Sequence, residues 1–195
     1  ELEHKKIGNV GLGAIGRETA KIAKGCGMEV AGYDPFMKQD QVEALGAKYY
    51  GDLKELLADM DIVSIHVPLT EDTRNMITKD ELKLMKKTAL LINCSRGGII
   101  DEKDLVEALK AGEIAGAGLD TFCTEPLCVG DEMLSCPNLI VTPHSAAQTR
   151  EAVIKMATMC VNGCLSILEG KKWPYVADPS VYDHEKWKDS EWANL

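Results

Sequence analysis

Short apolar runs alternate along this chain with amphipathic stretches, and the order is regular. Ile7-Gly8-Asn9-Val10 leads into Glu18-Thr19-Ala20-Lys21-Ile22-Ala23, where apolar side chains recur at helical spacing. Strand-like runs follow at 28–33, 47–50, 61–67, 88–93, 114–119 and 139–142. Helical patterns lie between them at 39–45, 52–57, 79–85 and 101–111, and a long one closes the series at 146–169. Asp52 is a good N-cap, Gly112 and Gly170 are C-terminal stops, and Pro68 and Pro143 end the strands before them. The run 61–67 is rich in β-branched apolar residues, which is consistent with a strand buried on both faces. Strand and helix in alternation predict a parallel sheet with helices on both faces and right-handed crossovers. Asn9 is the exception, a polar side chain in a central strand, which predicts a hydrogen bond or a place near the strand end.

The first strand enters Gly11-Leu12-Gly13-Ala14-Ile15-Gly16, a G-x-G-x-x-G turn that opens a helix. Gly11 permits the turn, Gly13 lets the backbone approach phosphate, and Gly16 lets helix and strand pack closely. The unpaired amides and positive dipole at the helix start then receive a pyrophosphate. Alone such a turn is weak evidence. The second strand, however, ends in Asp34, near the place of the acid that takes ribose hydroxyls, which favours NAD and repels the 2′-phosphate of NADP. Asp34-Pro35 also suits a plain turn. Together these features predict a Rossmann-type, doubly wound α/β fold.

Ligands on such sheets sit at the carboxyl ends of the strands. That rule selects Asp34, His66–Thr70, Asn93–Arg96, Asp120–Glu125 and Thr142–His144. Each has an ordinary alternative: Arg96 as a surface cation, Glu125 as a turn residue before Pro126, His144 as a loop histidine. Their common address points instead to one crevice holding an arginine, a carboxylate and an imidazole. An arginine is a fork-shaped cation that suits a carboxylate. An imidazole titrates near neutrality and can give or take a proton.

Charge and composition narrow the partners. The chain has 195 residues, 45% hydrophobic and 27% charged, with net charge −9, and no basic run interleaves with aromatics, so no nucleic-acid partner is expected. No stretch approaches a membrane span, and the charged opening residues are unlike a secretory signal, so no membrane partner and a cytoplasmic location are expected. The seven cysteines contain no C-x-x-C pair and are expected to be reduced, buried small thiols rather than disulfides or metal ligands. Cys160 and Cys164 stand one helical turn apart without a nearby histidine, and no metal site is expected.

Five ordered runs resemble the cofactor-domain signatures of the D-isomer-specific 2-hydroxyacid dehydrogenases: Val10 to Gly16; His66-Val67-Pro68-Leu69-Thr70 with Thr73; Ile92-Asn93-Cys94-Ser95-Arg96-Gly97-Gly98; Gly118-Leu119-Asp120-Thr121-Phe122 with Glu125-Pro126; and Thr142-Pro143-His144. The resemblance is closest to the phosphoglycerate dehydrogenase and hydroxypyruvate/glyoxylate reductase branches. It implies that Arg96 binds the substrate carboxylate, that His144 is the general acid/base, and that Glu125 hydrogen-bonds this histidine. It implies NAD as cofactor, held by Gly11, Gly13, Ala14, Ile15, Gly16, Asp34, His66, Val67, Pro68, Thr73, Asn93, Cys94, Ser95, Arg96, Asp120 and His144, with Asp120 near the nicotinamide carboxamide. It also implies a small 2-keto or 2-hydroxy acid substrate and a homodimer.

Two departures matter. Ala14 stands where many members carry an arginine toward the pyrophosphate, which leaves that work to backbone amides. The family also builds its substrate domain mainly from residues before the glycine motif, and here that domain is largely absent. The expected division is therefore an NAD-binding domain over 1–170 and a tail over 171–195, with Trp173, Trp187 and Trp192, returning toward the missing domain. Such a chain is expected to bind NAD(H) and to turn over 2-keto acids poorly by itself. Two rivals remain. A methyltransferase would explain the glycine turn and Asp34 but not Arg96, Glu125 and His144. An NAD-responsive co-repressor of the same fold would bind the cofactor without turnover.

Overall fold

A computed structural model describes residues 1–185; Trp187 and Trp192 lie outside the described residues. Contacts divide the chain into two compact units, Glu1–Ala146 and a second that begins at Ala147. The domain bound expected from sequence is 170, whereas this division falls before the long helix.

The first unit is a seven-stranded sheet, parallel at every pairing, in the order β3-β2-β1-β4-β5-β6-β7. The strands are β1 Lys6–Val10, β2 Glu29–Tyr33, β3 Lys48–Tyr49, β4 Ile62–Ile65, β5 Leu90–Asn93, β6 Gly116–Leu119 and β7 Leu139–Val141. Between them run α1 Ala14–Gly25, α2 Gln39–Ala44, α3 Leu53–Asp59, α4 Lys79–Leu84 and α5 Glu102–Ala111. A 3-10 turn at Glu132–Ser135, not predicted from sequence, precedes β7. The doubly wound fold is thus as the alternation predicts, with the order reversing at β1 and β4.

Successive residues of β1 show why helices cover both faces there. Ile7 packs with Ala23 of α1 and Met28, while a Cβ on Gly8 would meet Leu56 of α3 at 2.6 Å. Side chains alternate along a strand, so α1 and α3 lie on opposite faces. The main core joins Val63 and Ile65 of β4 to Leu56 and Leu57 of α3, Leu82 of α4, and Leu105 and Leu109 of α5. At the β5–β7 end one face is more open: Ile92, Gly118 and Ile140 are in register across three strands, and Ile140 is 72% exposed. Asn9 is fully buried, and its side-chain amide donates to Ala31 O at 3.3 Å.

In the second unit, α6 runs over Arg150–Leu168, capped by Thr149, whose hydroxyl accepts from Ala152 N at 3.1 Å. The pattern predicts a start at 146; the helix begins later, at Arg150, because Thr149 is extended and caps it, while the amides of Ser145 and Ala146 are bound by Asp120 at 2.8 and 2.9 Å. None of its residues is buried. The expectation that no stretch approaches a membrane span needs correction, since α6 is long and apolar enough to cross one by length and composition alone. Its apolar residues are broken up by Lys155 and Asn162, so no unbroken run announces it. The buried-thiol expectation also fails: all cysteines are free, but only Cys136 is buried. Cys160 and Cys164 lie on α6, and Cys94 and Cys123 follow β5 and β6, in places the core does not reach.

Candidate functional site

The glycine turn sits at the carboxyl end of β1, beside β4. A Cβ on Gly16 would stand 2.1 Å from Gly11 O, so only glycine lets α1 start this close to the strand. Nothing lies within 4 Å of a Cβ built on Gly13, the N-cap of α1, and no side chain caps the helix. An open, side-chain-free helix start with unsatisfied amides at Ala14 and Ile15 is a seat for a pyrophosphate. Arg17 braces the turn, its Nε donating to Leu12 O at 2.7 Å. Asp34 is held by two backbone amides, Leu12 N and Phe36 N, each at 2.9 Å, which ties the acid at the end of β2 to the glycine turn. The residues present fit a dinucleotide.

His66 follows β4 and donates its backbone N–H to Val10 O at 2.7 Å. Its Nε2 is buried without a hydrogen-bond partner among the described residues, and burial lowers its pKa below the usual histidine value. Val67 packs beside Gly11, where a Cβ would meet its Cγ1 at 2.9 Å. Thr73 closes the next turn: its hydroxyl donates to Pro68 O at 2.6 Å and accepts from Thr70 N at 2.8 Å.

The loop after β5 is built by Asn93 and Ser95. Asn93 accepts from Ser95 N at 2.9 Å and donates to Arg96 O at 2.8 Å, and Ser95 Oγ donates to Ile65 O at 2.7 Å. Asn93 is buried by these contacts; Cys94 is exposed as a residue, but partial desolvation of its thiol, and then nearby Asp120, raise its pKa. The loop presents Arg96, which is exposed and bonds to Ser95 O at 2.6 Å.

Asp120, at the end of β6, is 2% exposed and anchors the loop after β7. It accepts from the Thr142 hydroxyl at 2.5 Å and from Ser145 N and Ala146 N. Burial would raise its pKa, but these bonds and nearby His144 outweigh burial and hold it below the ordinary value. Within that anchored loop His144 takes a φ of 51°, and its Nδ1 lies 2.8 Å from Glu125 Oε2. Glu125 also accepts from Phe122 N at 2.9 Å; the bond to His144 first, then the Phe122 amide, lower its pKa, so it stays ionised.

Arg96, Glu125 and His144 line one cavity of about 370 Å³, together with Arg74, Gly98, Phe122 and Cys123. Glu125 and His144 also border a mostly apolar cavity of about 490 Å³ that contains Leu127, Leu134 and Val141. Three strand-end loops distant in sequence thus bring an arginine, an imidazole and its carboxylate to one place. The sequence reading did not single out Arg74; the only signal was its place next to Thr73.

Residues 1–146 match the family model of the D-isomer specific 2-hydroxyacid dehydrogenase NAD binding domain. The chain belongs to this family. Its matched part is therefore an NAD-binding domain, and the methyltransferase alternative falls. Among curated relatives, it is 42% identical over 171 residues to D-3-phosphoglycerate dehydrogenase of Methanocaldococcus jannaschii, covering 88% of this chain and 32% of that protein. It is 41% identical over 177 residues to glyoxylate reductase of Korarchaeum cryptofilum, covering 91% of this chain and 53% of that one. The solved NAD-complexed D-isomer specific 2-hydroxyacid dehydrogenase of Lactobacillus delbrueckii ssp. bulgaricus superposes with a TM-score of 0.81 at 35% identity, over 91% of this chain and 57% of that chain. The chain thus spans from about a third to just over half of the length of these relatives.

Proposed function

We propose that the protein is an NAD-dependent dehydrogenase that interconverts a D-2-hydroxy acid and its 2-keto acid, with Arg96, His144 and Glu125 as its working side chains. The observation that carries this is the single cavity lined by Arg96 and by the His144–Glu125 pair. NAD(H), when bound, supplies or accepts the hydride. The open helix start at Gly13 and the carboxylate of Asp34 hold it.

Arg96 takes the substrate carboxylate in a two-pronged grip and draws charge from the adjacent carbonyl. Glu125, kept ionised, accepts a hydrogen bond from the Nδ1–H of His144 and so favours the tautomer and charge state that deliver a proton from Nε2. In the reducing direction that proton goes to the keto oxygen; in the oxidising direction Nε2 takes it from the hydroxyl. Asp120 keeps His144 in place through the backbone of 142–146.

Relatives that act on D-3-phosphoglycerate and glyoxylate support a small acid as substrate. We also propose a homodimer, on the family resemblance, and a cytoplasmic location, on the free cysteines. Light scattering after size exclusion tests the first and fractionation the second. The reaction is tested by mixing the full-length protein with NADH and a panel of 2-keto acids and following loss of NADH. Turnover that disappears in Arg96→Gln and His144→Asn supports the dehydrogenase. NADH binding without turnover of any acid favours the co-repressor instead.

A further inference from the structure

Two adjacent acids at the start of α5 do different work. Asp101 caps the helix: its carboxylate accepts from Asp104 N at 3.0 Å, and its own amide donates to Ile77 O at 2.9 Å. Asp104 accepts from Lys79 N at 2.9 Å, which ties this turn to the start of α4, and Leu105 and Leu109 seat the helix in the main core. The start of α5 is therefore fixed without Glu102. Glu102 reaches away from its own helix instead. Its Oε1 accepts from Cys123 N at 2.6 Å, 21 residues further along the chain, and among the described residues it is in no ion pair.

Cys123 lies in the loop after β6, two positions before Glu125. Successive amides of that loop go to two carboxylates: Phe122 N donates to Glu125 itself at 2.9 Å, and Cys123 N to Glu102. Phe122 is buried, and the backbone beside it presses on the loop that carries Arg96, since a Cβ on Gly97 would stand 2.4 Å from Cys123 N. The thiol of Cys123 follows its amide. Burial first, then a hydrogen bond to Glu102, push it up to about 11, so it stays a neutral thiol on the cavity wall. With no acceptor at residue 102 the Cys123 amide loses its partner, and the loop can turn to satisfy it at the expense of the contact between Glu125 and His144.

We propose that Glu102 is a positioning residue for Glu125: by holding the Cys123 amide it fixes the short run to Glu125, so that this carboxylate meets His144 Nδ1 at 2.8 Å. Glu102 acts through the loop and touches neither substrate nor cofactor. This rests on the dehydrogenase reading above and adds to it a residue from α5.

Steady-state reduction of a 2-keto acid by the full-length protein, with NADH affinity measured by calorimetry, tests the role. Glu102→Ala removes the acceptor. Glu102→Asp keeps the charge at the helix start but is a methylene short, whereas Glu102→Gln keeps the reach and an oxygen. Glu102→Ala and Glu102→Asp are each expected to lower kcat about tenfold with NADH affinity unchanged, and Glu102→Gln to keep most of the parental kcat. Added to Glu125→Ala, Glu102→Ala should cost less than about twofold, because the carboxylate it positions is gone. Parental kcat in both Glu102→Ala and Glu102→Asp, equal losses of kcat and NADH affinity, or the same tenfold loss with and without the Glu125 carboxylate overturns the role of Glu102 while the dehydrogenase stands. Glu102→Gln as slow as Glu102→Ala overturns it too, since charge rather than the bond to Cys123 would then count. A parent protein that binds NADH and reduces no 2-keto acid overturns both readings.

Discussion

The backbone of Phe122 occupies the space where a side chain on residue 97 would begin: a Cβ on Gly97 would stand 2.0 Å from the Phe122 carbonyl carbon. This contact joins the loop carrying Arg96 to the loop carrying Glu125. Gly97→Ala must push the loops apart, because the obstacle is backbone and cannot rotate away. The expected cost is about 1–3 kcal/mol, read from urea unfolding. Affinity for a 2-keto acid should fall more than affinity for NADH, which calorimetry separates.

His144 Nδ1 lies 2.8 Å from Glu125 Oε2, and in the proposed reaction the two act as one unit. His144→Asn should lower turnover by ~10²–10⁴ while NADH binding persists. Glu125→Gln should fall in the same direction, and the double variant should be far less than additive. Steady-state rates of the four proteins form the test, and independent additive losses would separate the pair.

Asp120 is expected to be worth more than one contact. Asp120→Ala removes the acceptor of Ser145 N, Ala146 N and the Thr142 hydroxyl, and should destabilise the domain by about 1–3 kcal/mol. Turnover should drop as well, since the same loop carries His144. Denaturant unfolding and initial rates read these two effects separately; a fully stable Asp120→Ala protein would show that the loop is held by other means.

Part of the acid sensitivity should come from Asp59. Bonds from Lys6 Nζ at 2.7 Å and from the Tyr50 hydroxyl lower its pKa from 3.8 to about 2. A carboxylate depressed in the folded state stabilises above its unfolded value and loses that contribution as protons bind. The loss should therefore run from about pH 4 down to about pH 2. In Asp59→Asn the urea midpoint should fall less steeply over that window than in the parent.

Much of the fold was legible because it is written locally. The period of the apolar residues distinguishes helix from strand, and glycine, proline and caps mark most of the ends. The start of α6 was misjudged by a local rule. Its apolar pattern continues back to 146, but Thr149 is extended and caps the helix with its hydroxyl. The thiols misled for a similar reason: composition makes cysteine a core residue, and only the packing reveals that most sit outside it.

The candidate site divides in the same manner. Glycine turn, Asp34, Arg96, Glu125 and His144 were identified because each follows a strand, and parallel strands deliver their carboxyl ends to one edge. Asn93, Thr73 and Asp120 were read as cofactor contacts from their motifs, whereas the structure shows their polar atoms also building the loops that present Arg96, Arg74 and His144. Arg74 itself had no periodic or motif-level signal. What the chain's order of residues determined was the sheet, its edge and the chemistry carried there, since those follow from near neighbours. What tertiary structure alone decided was which side chains share a cavity and which are consumed in holding it, because those bonds join residues far apart in sequence.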